Sequence, residues 1–236
     1  MPIRTYKKER NTAHKKIANS LSYITLIGGA LLLFWAFYPI VSFEIYSKVF
    51  LQRKISSSLL NQTDSPSVYS NNLRDFTQAS LWFPAKPQAL KSKPSIKEYS
   101  VAIPKLNIDE AQVLVGGDDL SKSLIHYLPE TMPGENGNVI IFGHSTLPQL
   151  YNVNNYKTIF TYLPSLEKGD SIQVKVGETV YEYAVTDMFV VKPDQVSVLE
   201  QKKDGSYLTL ITCVPPGTYW NRLVVKAKLT QTPIAL

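Results

Sequence analysis

No charged side chain occurs between Lys16 and Glu44, and within that interval the run from Leu21 to Phe43 is almost wholly apolar. A helix of about 20 such residues crosses a hydrocarbon core roughly 30 Å thick. The interval therefore predicts one transmembrane helix over residues 20–43. A cleaved signal peptide would have a shorter apolar core and a small-x-small cleavage site, and neither pattern is found. Arg4, Lys7, Lys8, Arg10, Lys15 and Lys16 stand against Glu9 in the preceding tail. Such a basic flank stays on the cytoplasmic side, so residues 1–19 read as a cytoplasmic tail. Everything beyond the helix is expected outside the membrane. Trp35, Phe37, Tyr38 and Pro39 suit the outer interface.

The charge balance supports the same division. The chain carries a formal +6, of which the first sixteen residues supply +5. The remainder is close to neutral, which argues against a nucleic-acid surface on the folded part. Residues 44–95 are rich in structure breakers, such as Ser56-Ser57-Ser58 and Asn61 to Pro66. They read as a partly helical stalk or linker that lifts a domain from the membrane.

From Ile96 the texture changes to short β-type runs separated by turn residues. Val101 to Ile103 meets Pro104, Ala111 to Val115 meets Gly116-Gly117, and Asn138 to Phe142 meets Gly143. Ser171 to Val176 alternates and stops at Gly177, with further runs at Thr179 to Thr186 and Met188 to Val191. Asp119 to Ile125 and Tyr156 to Leu166 read as short helices or loops. Many short strands with regular turns predict an antiparallel barrel or sandwich over residues 96–236.

Cys213 is the only cysteine. A lone thiol cannot form an intramolecular disulfide or a cysteine-rich metal site. It closes the run Leu208-Thr209-Leu210-Ile211-Thr212, and a loop rich in Pro and Gly leads from it to Arg222-Leu223-Val224-Val225. A thiol at a strand end beside a cation reads as a nucleophile, and it requires a partner for its proton. Of three histidines, His14 lies in the basic tail. His144 follows an apolar strand in Phe142-Gly143-His144-Ser145 and is the better general acid and base. His126 sits in Leu124-Ile125-His126-Tyr127. Arg222 stays protonated and can donate hydrogen bonds to a developing oxyanion.

Taken together, Thr209-Leu210-Ile211-Thr212-Cys213 followed by Arg222 resembles the sortase signature TLxTC…R. Upstream, Ile103 to Asp109 is similar to that family's opening strand. His126-Tyr127 with Pro133-Gly134-Glu135-Asn136-Gly137-Asn138 resembles its HY…PGExGN segment, and Val139 to Ser145 resembles its strand ending in Gly-His. Leu166 to Ile172 resembles its LxxGDxI turn. The ordered set covers about residues 96–230.

The resemblance implies a mainly β fold, a closed sortase-like barrel of about eight strands with short helices, preceded by the single transmembrane helix. It implies catalytic roles for Cys213, His144 and Arg222, a supporting role for Thr212 and a structural one for His126. The expected activity is a membrane-anchored cysteine transpeptidase. It would cleave an LPxTG-like sorting signal through a thioester and pass the protein to an amine of a peptidoglycan precursor; a pilin amine, or water in a thiol hydrolase, is the alternative acceptor. No cofactor or metal is expected; calcium on loop carboxylates such as Glu110, Asp118 or Asp119 is the alternative left open, though no ligand spacing supports it. Ser145-Thr146-Leu147 stands where many members carry an arginine, and no hydrophobic span follows Leu229. The first departure leaves the subclass open and the second is unlike many pilus-building members, so the chain reads as class D- or E-like rather than pilus-building class C. Leu128-Pro129-Glu130-Thr131 spells the start of a sorting signal, but Met132-Pro133 follows, and it reads as a coincidental loop sequence.

Overall fold

The computed structural model describes residues 12–51, 76–83, 96–230 and 234–235. Helix α1 spans Thr12–Tyr46 and passes into a π-helical turn at Ser47–Leu51. Leu21, Leu26, Leu31, Phe34 and Trp35 are all exposed. A helix that is apolar around its whole circumference and unburied by protein matches a lipid environment rather than water. At its end Phe43 and Leu51 are buried and join the barrel core.

The strands are β1 Glu98–Ile103, β2 Ile108–Val115, β3 Leu124–Tyr127, β4 Gly137–Phe142, β5 Ser171–Val176, β6 Thr179–Val191, β7 Ser206–Val214, β8 Asn221–Leu229 and β9 Ile234–Ala235. They are ordered β5-β1-β2-β3-β4-β7-β8-β6-β9, and β5 also pairs with β6. That second pairing closes β1–β8 into an eight-stranded barrel, while β9 adds two residues beside Thr179 and Val180. Closure removes the free edges that an open sheet would leave to other chains.

Two details differ from the sequence reading. The barrel is mixed, because β2–β3 and β4–β7 are parallel. Short runs with turns do not reveal the direction of pairing; that depends on the long connection carrying β5 and β6 between β4 and β7. Secondly, Leu124 to Tyr127 forms a strand buried on both faces. Four residues without polar alternation carry no period-2 signal, so the run read as the end of a helix or loop. The two runs Thr179 to Thr186 and Met188 to Val191 are one bent strand, β6. Its register shifts between Val185 and Asp187, and a bulge of this kind bends a strand at a barrel corner.

Alternation sorts the side chains into two clusters. Val139, Ile141, Leu208, Leu210, Leu223 and Val225 fill the barrel interior. Ile140, Phe142, Ile211, Cys213 and Val224 face outward, beneath Ala79, Trp82, Phe83 and Val198. The outward face of β4, β7 and β8 is therefore a second core.

Candidate active site

The parallel pairing of β4 with β7 brings both strands to their C-terminal ends at the same rim. The register pairs Ile140 with Thr209 and Phe142 with Ile211. Continued by two residues, it sets His144 beside Cys213. On the other side, antiparallel β8 pairs Arg222 directly with Cys213. Neighbouring strands lie about 4.8 Å apart. His144, Cys213 and Arg222 thus form one lateral row across three strands, with the thiol in the middle, on the outer face of the wall at one end of the barrel.

Side-chain hydroxyls extend the ladder where the backbone pairing stops. Gly143 N–H donates to the Ile211 carbonyl at 3.1 Å. Thr212 Oγ1 donates to the Gly143 carbonyl at 2.8 Å, and Ser145 Oγ donates to the Cys213 carbonyl at 2.6 Å. The two bonds clip the turn bearing His144 onto the strand bearing Cys213. Glycine is needed at 143 because a Cβ there would lie 2.4 Å from the Phe160 ring and 2.6 Å from Leu124. Phe160 N–H in turn donates to the His144 carbonyl at 2.9 Å.

Arg222 is only 1% exposed. Its guanidinium donates to the carbonyls of Tyr219 at 3.1 Å, Asn221 at 3.2 Å and Trp82 at 3.1 Å, and Nε has no hydrogen-bond partner among the described residues. Its Cζ lies 5.3 Å from the Trp82 ring centroid. Burial pushes the Cys213 thiol up to about 11, with the Arg222 charge pulling the other way. Burial likewise lowers the guanidinium below its ordinary range.

The sequence reading placed residues 76–83 in a linker; the structure lays them on the row. Trp82 is fully buried, its ring 5.2 Å from Phe142 and 5.6 Å from His144. Cys213 is 1% exposed and His144 7%. The available signal was Leu81-Trp82-Phe83, an apolar aromatic cluster in an otherwise polar, breaker-rich stretch.

The remaining candidates lie off the row. Thr212 projects from the opposite face of β7 to Cys213, and its role is the Gly143 clip. His126 points into the barrel interior, its ring edge-on to Tyr99 at 5.8 Å. Neither of its nitrogens has a hydrogen-bond partner among the described residues. Glu110 pairs with Lys175, Asp118 accepts from Ser80, and Asp119 pairs with Lys122.

A sortase domain profile matches residues 101–230, more than half of the chain and the whole of the row. The chain belongs to the sortase family. Among curated relatives, sortase A of Staphylococcus aureus is 32% identical over 149 residues, covering 61% of this chain and 68% of that protein. Sortase A of Bacillus anthracis is 30% identical, covering 72% of this chain and 71% of that protein. Sortase D of Bacillus subtilis is 30% identical, and the match spans only 58% of its length. Among solved structures, Listeria monocytogenes sortase A superposes with a TM-score of 0.51 at 25% identity, covering 61% of this chain and 92% of that one. Sortase C of Streptococcus pneumoniae gives 0.51 at 26%, covering 61% and 74%. The sortase barrel and its cysteine-transpeptidase family are thereby common ground with relatives designated A, C and D.

Proposed function

We propose that this sortase is a membrane-anchored cysteine transpeptidase that cleaves an LPxTG-like sorting signal and joins the released protein to a cell-wall amine. The observation that carries the reading is the single row His144–Cys213–Arg222 across β4, β7 and β8. The Cys213 thiolate attacks the carbonyl of the signal's threonine, forming the C–S bond and a tetrahedral oxyanion. Arg222 donates to that oxyanion, whose charge develops only along the reaction. Protonated His144 gives its proton to the departing glycine amine as the C–N bond breaks, leaving a thioester. The incoming amine attacks the thioester, neutral His144 accepts its proton, and the thiolate leaves. Thr212 supports the row through its bond to Gly143. The domain works outside the membrane, tethered by α1, with the basic tail inside. The acceptor we favour belongs to a peptidoglycan precursor.

The test is intact-mass spectrometry of the full-length protein in detergent, incubated with sorting peptides and a panel of amines. A thioester adduct should appear in the parent protein and be absent from Cys213→Ala. Arg222→Lys keeps the charge but loses the planar fork, so turnover should fall by about 10²–10³-fold, the cost of one oxyanion donor. Near-full turnover in Arg222→Lys with an unchanged melting curve would remove Arg222 from the mechanism. A pilin lysine used in preference to wall amines would reassign the acceptor, and release by water alone would make the enzyme a hydrolase.

A further inference from the structure

Helix α1 meets the barrel at two heights. Phe43 and Leu51 bury in the barrel core. Nearer the helix N-terminus, about 12 Å along the axis from Phe43, Gln149 Nε2 donates to the Trp35 carbonyl at 3.0 Å. The chain itself creates the need for that donor. Pro39 lies inside α1, and a proline lacks the N–H that would bond the carbonyl four residues back. Trp35 O is thereby deprived of its helical partner, and a barrel side chain serves it instead. Around the contact runs an apolar groove lined by Leu31, Leu32, Trp35, Pro148, Gln149 and Tyr162.

The contact sets a depth. About 20 helical residues cross the hydrocarbon core, and counted from Ser20 they end near Pro39. Trp35 then stands at the outer boundary with Phe37 and Tyr38, where aromatic rings collect. Gln149 follows His144 by five residues. An extended chain reaches at most about 3.6 Å per residue, so His144 lies within about 18 Å of this contact. The loop between β7 and β8 sits against the loop after β4, since a Cβ on Gly217 would lie 2.7 Å from Leu147 Cγ. The two loops carry Leu150, Tyr162, Tyr219 and Trp220, exposed by 63%, 42%, 50% and 60%. Outside α1 and its π-helical turn, the other large apolar side chains exposed among the described residues are Leu81 and Leu114, at 37% and 38%. The exposed apolar surface of the barrel is therefore gathered mainly at the end that bears the row. Residues 136–166 and 205–236 contain no Asp or Glu, so an anionic headgroup layer meets no carboxylate on either loop.

We propose that the row-bearing end of the barrel is a lipid-contacting surface, with Leu150, Tyr162, Tyr219 and Trp220 seated in the headgroup layer of the membrane that α1 crosses. The inference rests on the reading of α1 as a membrane span and needs no turnover. A bilayer is the occupant because the groove beside Trp35 is continuous with the lipid-facing surface of α1. Tyrosine and tryptophan suit that layer, with an apolar ring and a polar tip. The barrel is then seated on the bilayer, where the sequence alone suggested a domain lifted from it. Gln149 fixes its tilt by holding the loop after β4 to a carbonyl at the boundary, where an unserved carbonyl is costly.

Depth-resolved quenching tests the seating. The full-length protein carrying Cys213→Ala has no thiol of its own, so one cysteine at a time is introduced and labelled with nitrobenzoxadiazole. The positions are Leu150→Cys and Trp220→Cys on the patch, Leu31→Cys on α1, and Glu178→Cys in the exposed turn between β5 and β6, at the far end of the barrel. Each protein is placed in vesicles of phosphatidylcholine and phosphatidylglycerol with nitroxide on the headgroup or on the acyl chain. Quencher in both leaflets makes the readout independent of which way the chain inserts. The patch labels should emit at shorter wavelength than the Glu178→Cys label and lose intensity chiefly to headgroup nitroxide. The Leu31→Cys label should lose it chiefly to acyl-chain nitroxide, and the Glu178→Cys label to neither. Quenching at Leu31→Cys with both patch labels as bright as the Glu178→Cys label would overturn the seating and leave the span intact; the patch would then face water or a protein. Quenching at only one patch position, or equally at Glu178→Cys, would also overturn it. Patch labels quenched while the Leu31→Cys label stays bright would keep the lipid surface and sink the span. Four unquenched labels would sink both. All four positions are exposed, so the substitutions remove no core packing, and a melting curve for each checks the fold.

Discussion

Arg222 holds a charge in a place where charges are costly. Removing a cation from water is repaid only by close polar partners, and here those partners are three carbonyls and an aromatic face. No carboxylate neutralises it among the described residues, so its charge stays available to an anion forming on the neighbouring strand. His126 shows the opposite solution. Burial pushes its imidazole down to about 3, so it sits in the core as a neutral group. The sign of the consequence is fixed. In the unfolded chain the imidazole takes up a proton below about 6.5, whereas the folded site does not until about 3. The unfolded state binds more protons between those values, and stability falls as the pH drops through that window. The loss should reach about 2 kcal/mol at pH 5. His126→Phe should flatten this part of the pH–stability curve in denaturant titrations at pH 7 and pH 5; an equal acid loss in both proteins would assign it to other groups. Residue types did point to Cys213, His144 and Arg222, because a lone thiol between two apolar runs demands a base and a donor nearby. They could not separate His144 from His126 by composition alone. Strand parity makes the difference: His126 faces inward and His144 follows an outward-facing Phe142.

At the scale of elements, the site depends on how β4 meets β7. The backbone ladder ends at Ile211 O, and the last two connections are hydroxyl bonds from Thr212 and Ser145. Ser145 was visible in the sequence as the end of the Gly-His segment and the start of the departure from the more usual arginine; its bond across to Cys213 O needed the parallel pairing to be known. Strand ends were legible where Pro104, Gly116, Gly143 and Gly177 mark them; of the two segments read as short helices or loops, Tyr156 to Leu166 holds a single 3-10 turn at Leu163–Ser165, and Asp119 to Ile125 runs into β3. The direction of β4 against β7 was not legible, because it is decided by barrel closure far away in the chain. If the clip positions the base against the nucleophile, Ser145→Ala should lower the rate of thioester formation by about tenfold, the worth of one short hydrogen bond of roughly 1.5 kcal/mol. Ser145→Thr should restore it, with peptide KM and melting temperature little altered. A loss of stability in Ser145→Ala that accounts for the whole loss of rate would make the clip merely structural.

At the scale of the whole molecule, the end of the apolar helix and residues 76–83 both pack on the barrel. Phe43 and Leu51 continue from α1 into the core, and residues 76–83 lie on the outer face. The long apolar helix was readable because its signal is composition over a long window. Residues 76–83 were not, because eight residues in a polar stretch acquire meaning only from the face they cover. The orientation proposed above predicts that protease added to intact protoplasts digests the domain from Ile96 onward and leaves an antibody epitope on residues 1–16 protected. Protection of the domain with exposure of that epitope would invert the orientation. The parallel pair β4–β7 also sets an order in time. His144 and Cys213 lie far apart along the chain and meet only when β7 docks beside β4. Chains are synthesised from the N-terminus, and pairings of high sequence separation form slowly. Until that late step Cys213 has neither His144 nor Arg222 beside it. A chain that has not yet placed β7 between β4 and β8 lacks the row altogether, so the row exists only in the closed barrel.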